Sequence, residues 1–225
     1  MSIKLYIVST PIGNYEDISL RAINVLKSVD FIICEEFKEA RRLLSHYQIE
    51  KELHSLNEHN DEEASQEIFH KIKEGKSAAL ISDCGTPLFS DPGNLLVQMC
   101  ITGKIDVVAI PGASSLLPAL VGSGFSLDKF YYAGWLSPKS EIRKKELLRL
   151  KVIKELIVLM ETPYRLKAIL TDVSKIFSAS TKIVVAFDLT LPTEKYFRGT
   201  VSEVLKSVSE KNIKGEFVLL IDNSK

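Results

Sequence analysis

The sequence predicts an α/β fold in two domains, and three observations carry that prediction. Short β-branched or aliphatic runs alternate with stretches of helical periodicity, the pattern of a mostly parallel sheet covered by helices. The pattern changes character after "AIPGASSLLPALVGSG", which places a boundary near residue 112, with one domain over 1–112 and a second over 113–225. The chain has 225 residues, 45% hydrophobic and 26% charged, enough to fill one large core or two smaller ones.

In the first domain the strand-like runs are Leu5 to Ser9, Phe31 to Cys34, Ala78 to Ser82 and Val107 to Ile110. The first helix is expected after Asp17, an N-cap residue type, with Ile18, Val25, Leu26 and Val29 on its buried side. The helix in "DEEASQEIFHKIKEG" has acidic residues in its first turn, basic ones near its end and Gly75 as a stop, so both ends match the helix dipole. Another helix is expected over Asn94 to Cys100. In the second domain the expected strands are Phe130 to Gly134, Glu155 to Met160, Lys182 to Leu189 and Glu216 to Ile221. Helices fill the gaps at about Lys139 to Leu150, Pro163 to Phe177 and Val201 to Ser209. No repeat or low-complexity linker separates the halves, so a ligand cleft between them is expected.

Lys+Arg and Asp+Glu both number 29, a formal net charge of +0. Such a chain has no global field to draw in a polyanion, and any nucleic-acid contact must come from a local patch. Cys34, Cys84 and Cys100 sit in or beside apolar runs without CxxC spacing, which reads as reduced interior thiols and a cytoplasmic location rather than a disulfide or metal framework. The opening "MSIKLYIVSTPIGN" is too short in apolar residues for a signal peptide, and no later run reaches the ~18 apolar residues of a membrane span.

Several chemistries fail on spacing. Gly75-Lys76-Ser77 lacks the earlier glycine of a phosphate-binding P-loop, since position 70 is His70. No GxGxxG follows the first strand, His54 and His59 lack HExxH spacing, and neither Ser114 nor Ser123 lies in GxSxG. Three strand-end turns remain: "STPIGN", "SDCGTPLFSDPG" and "IPGASS". Singly, each reads equally well as a surface connection or as a site. Together they follow three strands of one sheet, and neighbouring parallel strands would gather them at one edge, where open α/β sheets bind ligands.

The segments "LYIVSTPIGNYEDISLRAINVLKSVDFIICEE", "NEHN", "ALISDCGTPLFSDPG", "IPGASSLLPAL", "METPYRL" and "YFRGT…KGEFVLLI" resemble, in order and over essentially the whole chain, a family of the tetrapyrrole-methylase superfamily. That family is the bacterial small-subunit (16S) ribosomal RNA (cytidine-2′-O)-methyltransferases. The resemblance implies two α/β domains of the tetrapyrrole-methylase type, a homodimer, and S-adenosylmethionine (SAM) in an interdomain cleft, with no metal. By position it assigns to the cofactor Pro11 and Gly13, Ser82, Asp83, Cys84 and Gly85, Ser114 and Ser115, Glu161, and Ala186 with Phe187 near the adenine. A ribose hydroxyl must lose a proton during attack. Glu35, Glu36 and Lys38, which follow the second strand, are the catalytic candidates, and Arg165 is a candidate for phosphate.

The chain departs from the family pattern in four places. Where the family has Glu-Asp-Thr-Arg, this sequence reads Glu35-Glu36-Phe37-Lys38, and Cys84 stands at a usual alanine. The segment "LSPKSEIRKKELLRLKVIK" carries Lys139, Arg143, Lys144, Lys145, Arg149, Lys151 and Lys154, but Ser140, Glu141 and Ile142 interrupt it. It reads either as an RNA-binding face or as a solvated amphipathic helix. Many family members continue beyond "KGEFVLLIDNSK", and the expectation is weaker or assisted recognition of ribosomal RNA without that extension. Three functions stay open on these residues: transfer to ribosomal RNA, transfer to a tetrapyrrole or other small acceptor, and silent SAM binding.

Overall fold

A computed structural model describes residues 3–89, 91–211 and 213–224; Ser90, within the quoted SDPG turn, lies outside them. The chain divides into two compact units, Met1–Ser114 and Ser115–Lys225, each built on its own five-stranded sheet.

The first unit runs β1 (Lys4–Val8), α1 (Leu20–Ser28), β2 (Phe31–Cys34), α2 (Phe37–His46), β3 (Glu52–Ser55), α3 (Asp61–Lys73), β4 (Ala78–Ile81), α4 (Asn94–Thr102) and β5 (Asp106–Ile110). Its strands lie in the order β3-β2-β4-β1-β5, and every pairing is parallel. Alternation along each strand sorts the apolar side chains onto two faces. Val8, Ile32, Cys34, Ala79 and Ile81 pack with Ala22 and Leu26 of α1 and with Leu43 and Leu44 of α2. Leu5, Ile7, Phe31, Ile33 and Leu80 pack with Ile68 and Ile72 of α3 and with Leu96 and Cys100 of α4. Burial on both faces is why these strands read as continuous apolar runs.

Two local expectations change. Asp17 does not cap α1: a 3-10 turn over Tyr15–Asp17 intervenes, and the Ser19 side chain accepts from the Ala22 N–H instead. Of the expected buried positions, Leu26 and Val29 are buried, whereas Ile18 and Val25 pack at the margin of the core. Strand β3 is an addition to the elements the sequence predicts.

The second unit runs α5 (Leu116–Ser123), β6 (Phe130–Trp135), α6 (Ser140–Leu150), β7 (Leu156–Glu161), α7 (Leu166–Ile176), β8 (Lys182–Phe187), β9 (Lys195–Thr200), α8 (Val201–Lys211) and β10 (Phe217–Asp222). A 3-10 turn over Pro163–Arg165 opens the stretch expected as one helix from Pro163. The order is β6-β7-β10-β8-β9, with β6 and β7 parallel and the remaining pairs antiparallel. One face packs Ile157, Leu159, Ile183, Val185, Leu219 and Ile221 against α6, α7 and α8. The opposite face buries Val158, Val184, Ala186, Val218 and Leu220, and α5 lies along β8, β9 and β10.

Strand β6 carries an irregularity between Tyr132, which pairs with Val158, and Gly134, which pairs with Leu159. Gly134 takes φ +67°, a conformation glycine adopts without the Cβ penalty. The extra residue, Ala133, shifts the alternation by one position, so Trp135, opposite Met160, falls on the face of Tyr132 rather than on the face of the helical core.

Candidate active site at the carboxyl edge of the first sheet

Helix α1, which follows β1, packs on one face of the first sheet, and α4, which follows β4, packs on the other. The chain therefore leaves the neighbouring strands β1 and β4 in opposite directions, which opens a crevice at their carboxyl ends. Strand β5 lies on the other side of β1, so the three turns "STPIGN", "SDCGTPLFSDPG" and "IPGASS" meet at this edge.

A dense set of hydrogen bonds fixes the meeting. The Thr10 N–H donates to the Gly85 carbonyl at 2.8 Å, and the Thr10 hydroxyl to the Ser82 carbonyl at 3.0 Å. The Thr86 hydroxyl donates to the Ala113 carbonyl at 3.1 Å and sits 3.0 Å from the Ser9 hydroxyl, which ties all three turns together. Within the second turn, Ser82 accepts from the Cys84 N–H and donates to the Cys84 carbonyl, both at 3.2 Å. Two glycines permit this closeness. Gly85 has φ +87°, and a Cβ there would stand 3.1 Å from Ile12 Cγ2; a Cβ on Gly112 would stand 2.9 Å from Ser9 Cβ.

Carboxylates surround the edge. Asp83, at the tip of β4, accepts from the Glu36 N–H at 3.3 Å, joining it to the turn after β2. Burial, then Asp83, Asp91, Glu36 and Glu58, raises Glu35 above the usual carboxylate range. Asp83 is also raised: burial is the main cause, the Glu36 N–H opposes it, and Glu36, Glu39 and Asp91 reinforce it. The charged neighbours that raise these two groups are carboxylates, while the Arg41 guanidinium acts on the adjacent Cys34. Among the described residues, no group of three or more His, Cys, Asp or Glu side chains is arranged to hold a metal ion.

The other predicted residues fall as follows. Pro11, Ser82 and Gly85 are buried, Gly13 and Cys84 are exposed, and Ser114 and Ser115 are half-buried. Cys84 is thus not the interior thiol its apolar flank suggests, because the strand ends at Ile81 and the turn carries it outward; Cys34 and Cys100 are buried. Glu36 and Lys38 are exposed at the start of α2, and Glu35 is half-buried. A groove of about 1000 Å³ beside α2 and β3 takes in Phe37 and Arg41 but none of the turn residues.

In the second unit Glu161, Ala186 and Phe187 are all buried. Glu161 pairs with Arg165, whose guanidinium also donates to the Leu136 carbonyl at 2.6 Å. Arg165 is therefore held by protein partners and is poorly placed to bind a free phosphate. Arg143 leaves the expected basic face for the same reason. It is 4% exposed, bonds Asp172 at 2.6 Å, and donates to the Ser137 and Pro138 carbonyls. Nothing in the sequence pattern flags Asp172, which lies 29 positions away on another helix.

Two α/β units, with donor groups and carboxylates gathered at a strand-order switch, define a ligand-binding α/β protein of the doubly wound kind in its first half. The family model for Tetrapyrrole (Corrin/Porphyrin) Methylases matches residues 4–205. The chain belongs to that family and is a methyltransferase. It is 41% identical over 220 residues to the "Ribosomal RNA small subunit methyltransferase I" of Bacillus subtilis (strain 168), covering 98% of this chain and 75% of that protein. The protein of the same name from Thermotoga maritima (strain ATCC 43589 / DSM 3109 / JCM 10099 / NBRC 100826 / MSB8) is 39% identical, covering 97% of both chains. In fold, the solved structure of cobalt precorrin-4 methyltransferase, a cobalamin biosynthetic enzyme, superposes with a TM-score of 0.70 at 20% identity, covering 97% of this chain and 94% of that one.

Proposed function

We propose that the chain transfers a methyl group from SAM to a ribose 2′-hydroxyl of small-subunit ribosomal RNA. The observation that carries the acceptor is the name shared by full-length relatives at about 40% identity, where the cobalamin enzyme is similar in fold alone. The donor rests on the chemistry of the strand tips. SAM is a sulfonium with an ammonium group, and the carboxylate of Asp83, raised in part by neighbouring carboxylates, suits a cation. The close approach at Gly85 and Gly112 keeps backbone groups within reach of a ligand.

When bound, SAM supplies an activated methyl group. The residues of this chain then have two tasks, orientation and proton removal. Pro11, Gly13, Ser82, Asp83, Cys84, Gly85, Ser114 and Ser115 shape the donor site, and the resemblance adds Ala186, Phe187 and Glu161, whose side chains are buried so that backbone is the part available to a ligand. Glu35 is a suitable proton acceptor, because its raised pKa makes it a stronger base than an ordinary carboxylate. Glu36 and Lys38, exposed beside it, are assigned to orienting the acceptor. The active form in this reading is a cytoplasmic homodimer that meets its substrate as an assembled subunit.

The test is methyl transfer from labelled SAM to unmethylated small ribosomal subunits, with the product mapped to the nucleotide. Ribose methylation at one site is the expected result. Label on a tetrapyrrole and none on subunits would replace the acceptor.

A further inference from the structure

The second unit carries two exposed aromatic side chains to which no role has been assigned above. Trp135 ends β6 at 45% exposure, and Tyr164, in the 3-10 turn after β7, is 88% exposed. Large aromatic side chains are normally covered, and two at the tips of neighbouring parallel strands form a patch rather than a scatter. The two are held near each other: Arg165, next to Tyr164, donates to the carbonyl of Leu136, next to Trp135.

The fold supports this presentation at some cost. The irregularity at Ala133 turns Trp135 away from the helical core, onto the face where the Tyr132 hydroxyl contacts Met160 Sδ at 3.3 Å. Were Ala133 paired in regular register instead, Trp135 would lie opposite Glu161 and point to the side packed by α6 and α7. The turn that follows is pinned at three successive carbonyls, Leu136 by Arg165, and Ser137 and Pro138 by the buried Arg143. A rigid turn pre-organises what it displays. Lys139, four positions after Trp135, and Lys167, three after Tyr164, are exposed and in no ion pair among the described residues, and Glu146 accepts from the Ser137 N–H at 2.8 Å. The surface thus offers two aromatic faces with a lysine close in sequence to each, and aromatic faces hold unpaired bases by stacking while cations hold their phosphates.

We propose that Trp135 and Tyr164 form a stacking platform for unpaired bases of the RNA substrate, with Lys139 and Lys167, each close in sequence to one of them, on the flanking phosphates. This rests on the ribosomal RNA reading above. Trp135 is the only tryptophan of the chain, so its emission reports on this platform alone.

The experiment has two arms. In the first, a synthetic single-stranded oligoribonucleotide and then unmethylated small ribosomal subunits are titrated onto the full chain, and Trp135 emission is expected to quench in both. In the second, Trp135→Ala, Trp135→Phe and Tyr164→Ala are assayed for methyl transfer to subunits and for SAM affinity. Each alanine variant is expected to raise KM for subunits about tenfold, with SAM affinity unchanged, and Trp135→Phe to restore most of the loss. Tyr164 is nearly all exposed, so its removal leaves folding intact and keeps the test open if Trp135→Ala misfolds. Parental KM in both alanine variants, with subunits still methylated, would overturn the platform and leave the RNA reading standing. A change in sedimentation without a change in KM would also overturn it, by making the patch an interface between copies. If the parent methylates no RNA and its emission does not respond, the reading beneath the platform falls with it.

Discussion

The two units handle their carboxylates differently. In the second unit two buried carboxylates have an arginine: Glu161, at the end of β7, faces Arg165, and Asp172, on α7, faces Arg143 with Lys144 at 3.8 Å, whereas Glu216, before β10, is raised by burial and by Asp188. In the first unit the charged neighbours that raise Glu35 and Asp83 are other carboxylates. Paired and buried, the first kind of charge fixes two arginines whose remaining donors hold backbone carbonyls in place. Unpaired and near solvent, the second kind raises the energy of the free protein and is relieved when a cation binds. The paired carboxylates of the second unit thus serve as scaffold, and Asp83 and Glu35 in the first are the ones a ligand would relieve.

Removing a carboxylate should therefore have opposite consequences in the two units. The largest effect is expected from Asp172→Ala, which leaves Arg143 buried and unpaired. The loss should be about 3–5 kcal/mol, read as a drop in thermal midpoint, with SAM affinity unaltered in the fraction that folds. Asp83→Ala should instead weaken SAM binding by about a hundredfold, or about 2.7 kcal/mol, in calorimetry without lowering the midpoint. Equal loss of stability in both variants would erase the distinction between scaffold and ligand charges.

Gly85→Ala tests the meeting of the turns. The positive φ and the contact with Ile12 should cost about 1–3 kcal/mol in denaturant unfolding, and SAM affinity should fall in parallel. Lys38→Ala separates donor from acceptor: transfer to subunits should slow about tenfold, while SAM binding stays within about twofold. The smallest effect is on stability against pH. A carboxyl whose pKa is raised in the folded state costs stability above its unfolded value, and that cost disappears as pH falls through the raised value. Asp83→Asn should then be more stable than the parent at neutral pH by no more than about 0.5 kcal/mol, and the difference should close in acid.

The sequence shows where a strand is buried on both faces more readily than where one lies at an edge. Phe31–Cys34 and Ala78–Ile81 are wholly buried and read as strands at once. Strand β3, Glu52–Ser55, has one aliphatic residue and no buried position, so its ladder of backbone bonds to β2 leaves little trace in composition. Strand β9, an edge strand with charged Lys195 and Arg198, is visible in the sequence only as part of a motif. The joining of three turns at one edge follows from parallel order alone, once strands are assigned. The charge logic does not. Raised carboxyls at Glu35 and Asp83 depend on which turns meet, and the Arg143–Asp172 pair joins two helices whose periodicity would put apolar residues at those positions.

Burial divides the thiols as sharply as the carboxylates. Burial lifts Cys34 to about 12 and Cys100 to about 11, so at neutral pH both stay protonated inside the core, while Cys84 sits on the surface of the loop that β4 delivers. A maleimide dye added to the unmodified chain would attach at that one position. Its rate of attachment, followed with and without SAM, gives a direct clock for occupancy of the loop, with no residue replaced.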